Sequence, residues 1–259
     1  DFINTFKYLL NGLNLNKNNE VLGSKEVLTE EFIPIFLEND IKIIIIIRDP
    51  RDVYSSINNG KGSEYTGSKR PTLFHLRNWR KTIAITNTFK KHKNCLVLKY
   101  EDLIEDQSKT LNEICSFLNI SVYPAEYFSN GIKNQEGEFW QGNSSTGILN
   151  GIDSSNRGKF KNHLSDNTIA YIEKVCRPEM LTYNYSFHIN KNDIVLKDFV
   201  EPYKIDCTDL DPDMSTSFSE LQLENRRLEL LTSSEATNDE IVEKFYSKKN
   251  FDILKLVSK

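Results

Sequence analysis

Arg48 closes the apolar run Ile43–Ile47, and Ser56 follows eight residues later inside the string IIIIIRDPRDVYSS. A guanidinium at the end of a buried strand and a hydroxyl in the helix that follows can converge on one anion. The guanidinium offers a planar fork of donors, and the helix N-terminus adds backbone N–H groups. The same residues also suit an ordinary surface network in which Arg48 pairs with Asp49 or Asp52. A second cationic cluster surrounds a glycine, at Arg157-Gly158-Lys159-Phe160-Lys161. It reads either as a loop that closes over an anion or as a solvated charge cluster. Lys99-Tyr100-Glu101-Asp102 follows another apolar run, Cys95–Leu98.

The elements that must position these residues have an α/β pattern. Ile41–Ile47 is β-branched and does not alternate, which predicts a strand buried on both faces of a parallel sheet. Pro50 fits the first turn of a helix carrying Val53, Tyr54 and Ile57. Charged residues at the carboxyl end of such a strand lie where open α/β sheets bind ligands. Helical spacing predicts an amphipathic helix over 73–91, with Leu73, Leu76, Trp79, Ile83 and Thr86 on one face. Cys95–Tyr100 reads as a second buried strand, followed by a helix from Thr110 to Leu118. Ser165 is placed to cap a helix over 166–181, and Thr29 to cap one running to Leu37. A short helix is expected over 2–13, and two more acidic helices over 218–233 and 238–257. Residues 1–190 form the main domain in this reading, and 191–259 a mostly helical C-terminal extension that could dock a partner.

Composition narrows the function. At 38% hydrophobic and 27% charged, the chain is globular in kind, and its net charge of −4 argues against general nucleic-acid binding. The acidic excess falls after residue 200, so the remainder is near neutral and can still hold a local basic pocket. The longest apolar run is too short for a transmembrane helix, and no signal peptide opens the chain, so a cytoplasmic location is expected. Cys95, Cys115, Cys176 and Cys207 have no CxxC spacing. Neither a disulfide framework nor a metal site is expected. The four histidines are scattered; His163 reads as a solvated residue at a helix start. Phe139 and Trp140, in an irregular stretch, either line an acceptor pocket or anchor a long loop.

In order and spacing, RDPRDVYSS, the Tyr100-Glu101-Asp102 motif and Arg157–Lys161 resemble the sulfotransferases that use 3′-phosphoadenosine 5′-phosphosulfate (PAPS). The resemblance spans residues 20–185. It implies a P-loop-NTPase-like fold with a parallel sheet flanked by helices. It also implies transfer of a sulfonate from PAPS to a hydroxyl of a carbohydrate or small-molecule acceptor, leaving 3′-phosphoadenosine 5′-phosphate (PAP). By the match, Arg48 and Ser56 hold the donor's 3′-phosphate and Tyr100 lies near the adenine. Arg157, Gly158 and Lys159 close over the 3′-phosphate. Phe160 stands where the family usually has Trp, and the cytosolic branch's Arg-Lys-Gly triplet is absent. Counting back from Arg48, the family's catalytic base falls on Gly23–Glu26. Glu26 is then the base for the acceptor hydroxyl and Lys25 its electrostatic partner; an exposed Lys–Glu pair is the plain alternative.

One departure stands out. The family opens with a strand and a glycine-containing phosphosulfate loop, and nothing before residue 23 matches it. Gly62–Lys69 has the wrong residue order for a phosphate loop and reads as a flexible segment. Two other classes therefore stay open: a non-catalytic nucleotide-binding or scaffold homologue, and a phosphoryl-transfer enzyme of the same broad fold. The second would need a complete phosphate loop and Mg²⁺ ligands.

Overall fold

Ile43–Ile47 and Cys95–Lys99 pair in parallel, with Ile43 opposite Cys95 and Ile47 opposite Lys99. The computed structural model describes residues 2–13, 21–59, 70–122, 138, 157–189, 196–202, 218–232 and 236–258. In chain order its elements begin with α1 (Phe2–Leu13), α2 (Ile33–Glu38), β1 (Ile43–Ile47), α3 (Pro50–Asn59) and α4 (Thr72–Phe89). They continue with β2 (Cys95–Lys99), α5 (Tyr100–Glu105), α6 (Gln107–Leu118), α7 (Phe160–His163) and α8 (Asp166–Val175). The last are α9 (Arg177–Thr182), α10 (Phe218–Thr232), α11 (Asn238–Phe245) and α12 (Lys248–Val257). Two compact units result: Asp1–Ile47 with Phe89–Ile132 and Asn150–Ile152, and Arg48–Thr88 with Lys133–Leu149 and Asp153–Lys259.

The first unit is built on the β1–β2 pair. Ile45 and Ile47 are buried, whereas Ile46 is 55% exposed. Successive strand residues point to opposite faces, so burial on both faces holds for only part of the run. Lys42 reaches across to the Phe117 carbonyl at the end of α6, 2.6 Å away. Asp106 caps α6 by accepting from the Lys109 N–H at 2.9 Å, and Asn119 ends it in the left-handed region at φ +62°. Thr29 precedes a 3₁₀ turn over Glu30–Phe32 and makes no side-chain cap bond, so α2 starts later than the spacing predicts.

The second unit packs helices around α4 and α8. The predicted face of α4 is buried, and Arg80, Ala84 and Asn87 are buried on that same face. Ser165 caps α8 as expected, accepting from the Thr168 N–H at 3.3 Å. The periodic stretch 238–257 is two helices, because Tyr246 adopts φ +65° and Ser247 starts a new cap. Leu230, Leu231, Ile241, Phe245, Phe251 and Leu254 form one buried cluster joining α10, α11 and α12. Asn87 of α4 donates to Asn250 Oδ1 of α12 and accepts from the Tyr183 hydroxyl, each at 2.9 Å. Among the described residues no helix is long and apolar enough to cross a membrane.

Candidate functional site

The first turn of α3 is organised by its own charges. Asp49 accepts from the Arg51 N–H at 2.9 Å, and its carbonyl accepts from Val53 at 3.0 Å, so it acts as the helix cap. The Arg51 guanidinium holds both Asp49 oxygens, at 2.9 and 2.6 Å, and pairs with Glu173 of α8. It also lies over the Phe160 ring, 4.3 Å from the centroid. Burial works against its charge, but hydrogen bonds and charge from Asp49 and Glu173 outweigh burial and raise its pKa above the ordinary value. Glu173 in turn accepts from the His188 and Ile189 N–H groups, at 2.6 and 3.1 Å.

Asp52 does something different. It is 2% exposed, and its two oxygens accept backbone N–H bonds from Gly158 at 2.7 Å and Phe160 at 3.0 Å. Gly158 sits at φ +72°, where a side chain would be strained. The Arg157–Phe160 turn is thereby seated against α3. Ser56 lies one helical turn beyond Asp52 on the same face and is half-buried. Next to it, the buried Ser55 hydroxyl is 3.1 Å from His163 Nδ1, at the end of α7. His163 is exposed, as expected, but it also has this partner on α3.

Five of the sequence-predicted site residues therefore belong to one unit: Arg48, Ser56, Arg157, Gly158 and Lys159. Arg48 is half-buried, and its carbonyl accepts from the Trp79 indole N–H at 2.9 Å. Lys159 is half-buried and Arg157 exposed. The turn carries the cationic residues Arg157 and Lys159, with Lys161 following in α7, and Arg48 precedes the helix on which the turn is seated. Tyr100, Lys25 and Glu26 belong to the first unit. Tyr100 opens α5 directly after β2 and is half-buried; Lys25 and Glu26 are exposed, in a stretch without helix or strand. Gly62–Lys69, Phe139 and Trp140 lie outside the described residues.

Sequence reasoning missed Asp52, Arg51 and Glu173 as organisers of the turn. It offered Asp49 and Asp52 as partners for Arg48. In the structure Asp49 binds Arg51, and Asp52 binds a turn more than a hundred residues away. The only local signal was the glycine in Arg157-Gly158-Lys159, which marks a turn but not what the turn rests on.

Comparison with known proteins bears on the fold and the family. No curated protein matches the chain. Among solved structures, it resembles a sulfotransferase domain from the curacin biosynthetic pathway, with a TM-score of 0.50 and 19% identity, covering 70% of this chain and 69% of that one. Mouse sulfotransferase SULT7A1 complexed with PAP is also similar, with a TM-score of 0.39 and 19% identity over 58% of this chain and 63% of that one. Residues 27–184, which hold β1, α3, β2 and the Arg157–Phe160 turn, match the sulfotransferase domain family. The chain belongs to the sulfotransferase family, whose members transfer a sulfonyl group.

Proposed function

We propose that this sulfotransferase takes its sulfonate from PAPS and passes it to a hydroxyl of a carbohydrate or small-molecule acceptor. The observation that carries the donor assignment is the seating of the Arg157–Phe160 turn on α3 through Asp52, beside Ser56. This arrangement suits a phosphate monoester: a hydroxyl, a backbone turn with a left-handed glycine, and the cationic residues Arg157 and Lys159 on that turn. Arg48, Ser56, Arg157, Gly158 and Lys159 would hold the 3′-phosphate, and Tyr100 would contact the adenine. In the transfer, the acceptor oxygen bonds to sulfur while the bond from sulfur to the bridging phosphate oxygen breaks, releasing PAP. Glu26 takes the acceptor's proton, and Lys25 offsets the charge left on the leaving phosphate. Those two roles rest on the family resemblance.

The test is thermal stabilisation by PAP, measured beside 5′-AMP and ATP without Mg²⁺. A shift with PAP well above that with 5′-AMP is expected, because only PAP carries the 3′-phosphate. Preference for ATP would favour a phosphoryl-transfer enzyme. PAP binding without turnover of PAPS against a panel of sugars and phenols would favour a binding protein. Arg48→Ala should weaken PAP binding by about 2–5 kcal/mol, as for a desolvated charge-assisted contact. An Arg48→Ala protein that binds PAP as tightly as wild type would sink the assignment.

A further inference from the structure

We infer that Asp52 is a positioning residue for donor selectivity, a reading that rests on the 3′-phosphate site proposed above. The Asp52 carboxylate is nearly inaccessible, so it is not itself a ligand for solute. Both oxygens are committed to main-chain N–H groups two residues apart, Gly158 and Phe160, which brackets Lys159 between them. A carboxylate that accepts two backbone donors fixes the orientation of the intervening peptide units more tightly than a single bond. Phe160 is gripped a second time, from its ring face, by the neighbouring Arg51. Arg51 in turn is fixed by Asp49 and Glu173. Consecutive residues on α3 thus hold the backbone and the ring of the turn.

The consequence is geometric. The turn must present Arg157 and Lys159 at a fixed height above the face of α3 that carries Ser56. Otherwise their charges are spread through solvent, where screening reduces their value. Asp52 is therefore what turns scattered cations and a hydroxyl into a site that recognises a phosphate at one position. Its loss should affect the 3′-phosphate and spare the rest of the nucleotide.

Asp52→Asn is the test, because the amide keeps the shape but turns an NH₂ group toward one of the two N–H donors. Titration calorimetry with PAP and with 5′-AMP reads the effect as a ratio. In wild type PAP should bind the tighter. In Asp52→Asn, PAP affinity should fall about tenfold or more with 5′-AMP affinity unchanged, and the KM for PAPS should rise with little change in kcat. Parallel loss for both nucleotides would mean general damage and would overturn the inference. Undiminished PAP selectivity in the variant would overturn it too, leaving the donor site standing. No preference for PAP in wild type would overturn the donor site and this inference together.

Should Asp52→Asn fail to fold, Gly158→Ala reads the same ratio. It keeps every charged side chain and strains only the turn, since the added methyl would meet nothing closer than Lys161 Cε at 4.0 Å. Loss of selectivity there supports the inference, and retained selectivity overturns it. Hydrogen exchange on the unmodified, nucleotide-free protein gives a second reading. The Gly158 and Phe160 amides should exchange slowly; fast exchange at both would overturn the inference.

Discussion

Two buried charge networks in the second unit use the same residue types for different ends. Around α3, Asp52 is answered by main-chain N–H groups, and Arg51 ties together the helix start, α8 and an aromatic ring. Between α4 and α10, arginine answers glutamate directly. Arg80 forks onto both oxygens of Glu224; Arg77 spans Glu224 at 3.0 Å and Glu220 at 2.6 Å; Arg227 pairs with Glu179 of α9. In this second network the opposite charges cancel within the protein and lock helix to helix. In the first, one carboxylate spends itself on backbone, so the nearby cations are not consumed by it. A buried ion pair is by itself weak evidence for a functional site. What separates the two is Asp52, whose two oxygens are answered by main-chain N–H groups, whereas Glu220, Glu224 and Glu179 are answered by arginine.

The largest effect should come from breaking the α4–α10 network. Glu224→Ala strands Arg80, which is 6% exposed, and removes one of the two partners of Arg77. Removing one member of a buried pair costs about 3–5 kcal/mol, a sizeable part of a stability of about 5–15 kcal/mol for a typical domain. Urea unfolding should show that loss, while the PAP to 5′-AMP selectivity of the remaining folded protein stays as in wild type. A selectivity change as large as that of Asp52→Asn would erase the distinction between the networks.

Acid separates the two regions further, through His75 on α4. Its ring lies edge-on to Tyr54 of α3, at 5.9 Å, and its Nε2 is buried without a hydrogen-bond partner. Burial, with Arg70 nearby, lowers its pKa from 6.5 to about 4. The unfolded chain therefore takes up a proton below pH 6.5 that the folded protein refuses until about pH 4. Stability is complete above pH 6.5 and falls through that window, by about 2–3 kcal/mol. Glu224 acts lower. Burial would raise its pKa, but Arg80, Arg227 and Arg77 bring it down to about 2, so its contribution is present above about pH 4.5 and is lost only toward pH 2. Urea unfolding at pH 7 and pH 4.5 should show the loss in wild type and a much flatter response in His75→Leu. An equal loss in the variant would place the acid sensitivity elsewhere.

Much of this scaffold was legible in the sequence because it depends on side-chain type at short range. The isoleucine run announced β1, Pro50 announced the start of α3, and Ser165 announced the start of α8. The break at Tyr246 was hidden because apolar spacing continues through it; Ser247, which caps α12, was the available clue. The seat of the Arg157–Phe160 turn could not be read at all. Asp52 binds N–H groups, which every residue but proline carries, so no residue identity at 158 or 160 records the contact. Arg80 escaped for a different reason: it lies on the buried face of α4 with Leu73, Leu76 and Ile83, where Glu224 pairs with it, and a search for apolar spacing passes over a charged residue.

The finest comparison is between neighbours. Ser55 and Ser56 differ by one position and about 100° around α3. Ser55, three residues after Asp52, is buried and turned to His163, whereas Ser56, four residues after it, lies to the other side of Asp52 and is half-buried. Ser56→Ala should therefore weaken PAP binding by about 1–2 kcal/mol, the worth of a hydrogen bond to a charged acceptor, and leave thermal stability nearly unchanged. Ser55→Ala should do the reverse, lowering stability by about 1 kcal/mol with PAP selectivity retained. The pair tests which face of α3 the anion meets. If Ser55→Ala carried the binding loss instead, the anion would lie on the His163 side, and the turn seated by Asp52 would be a structural brace instead of a wall of the site.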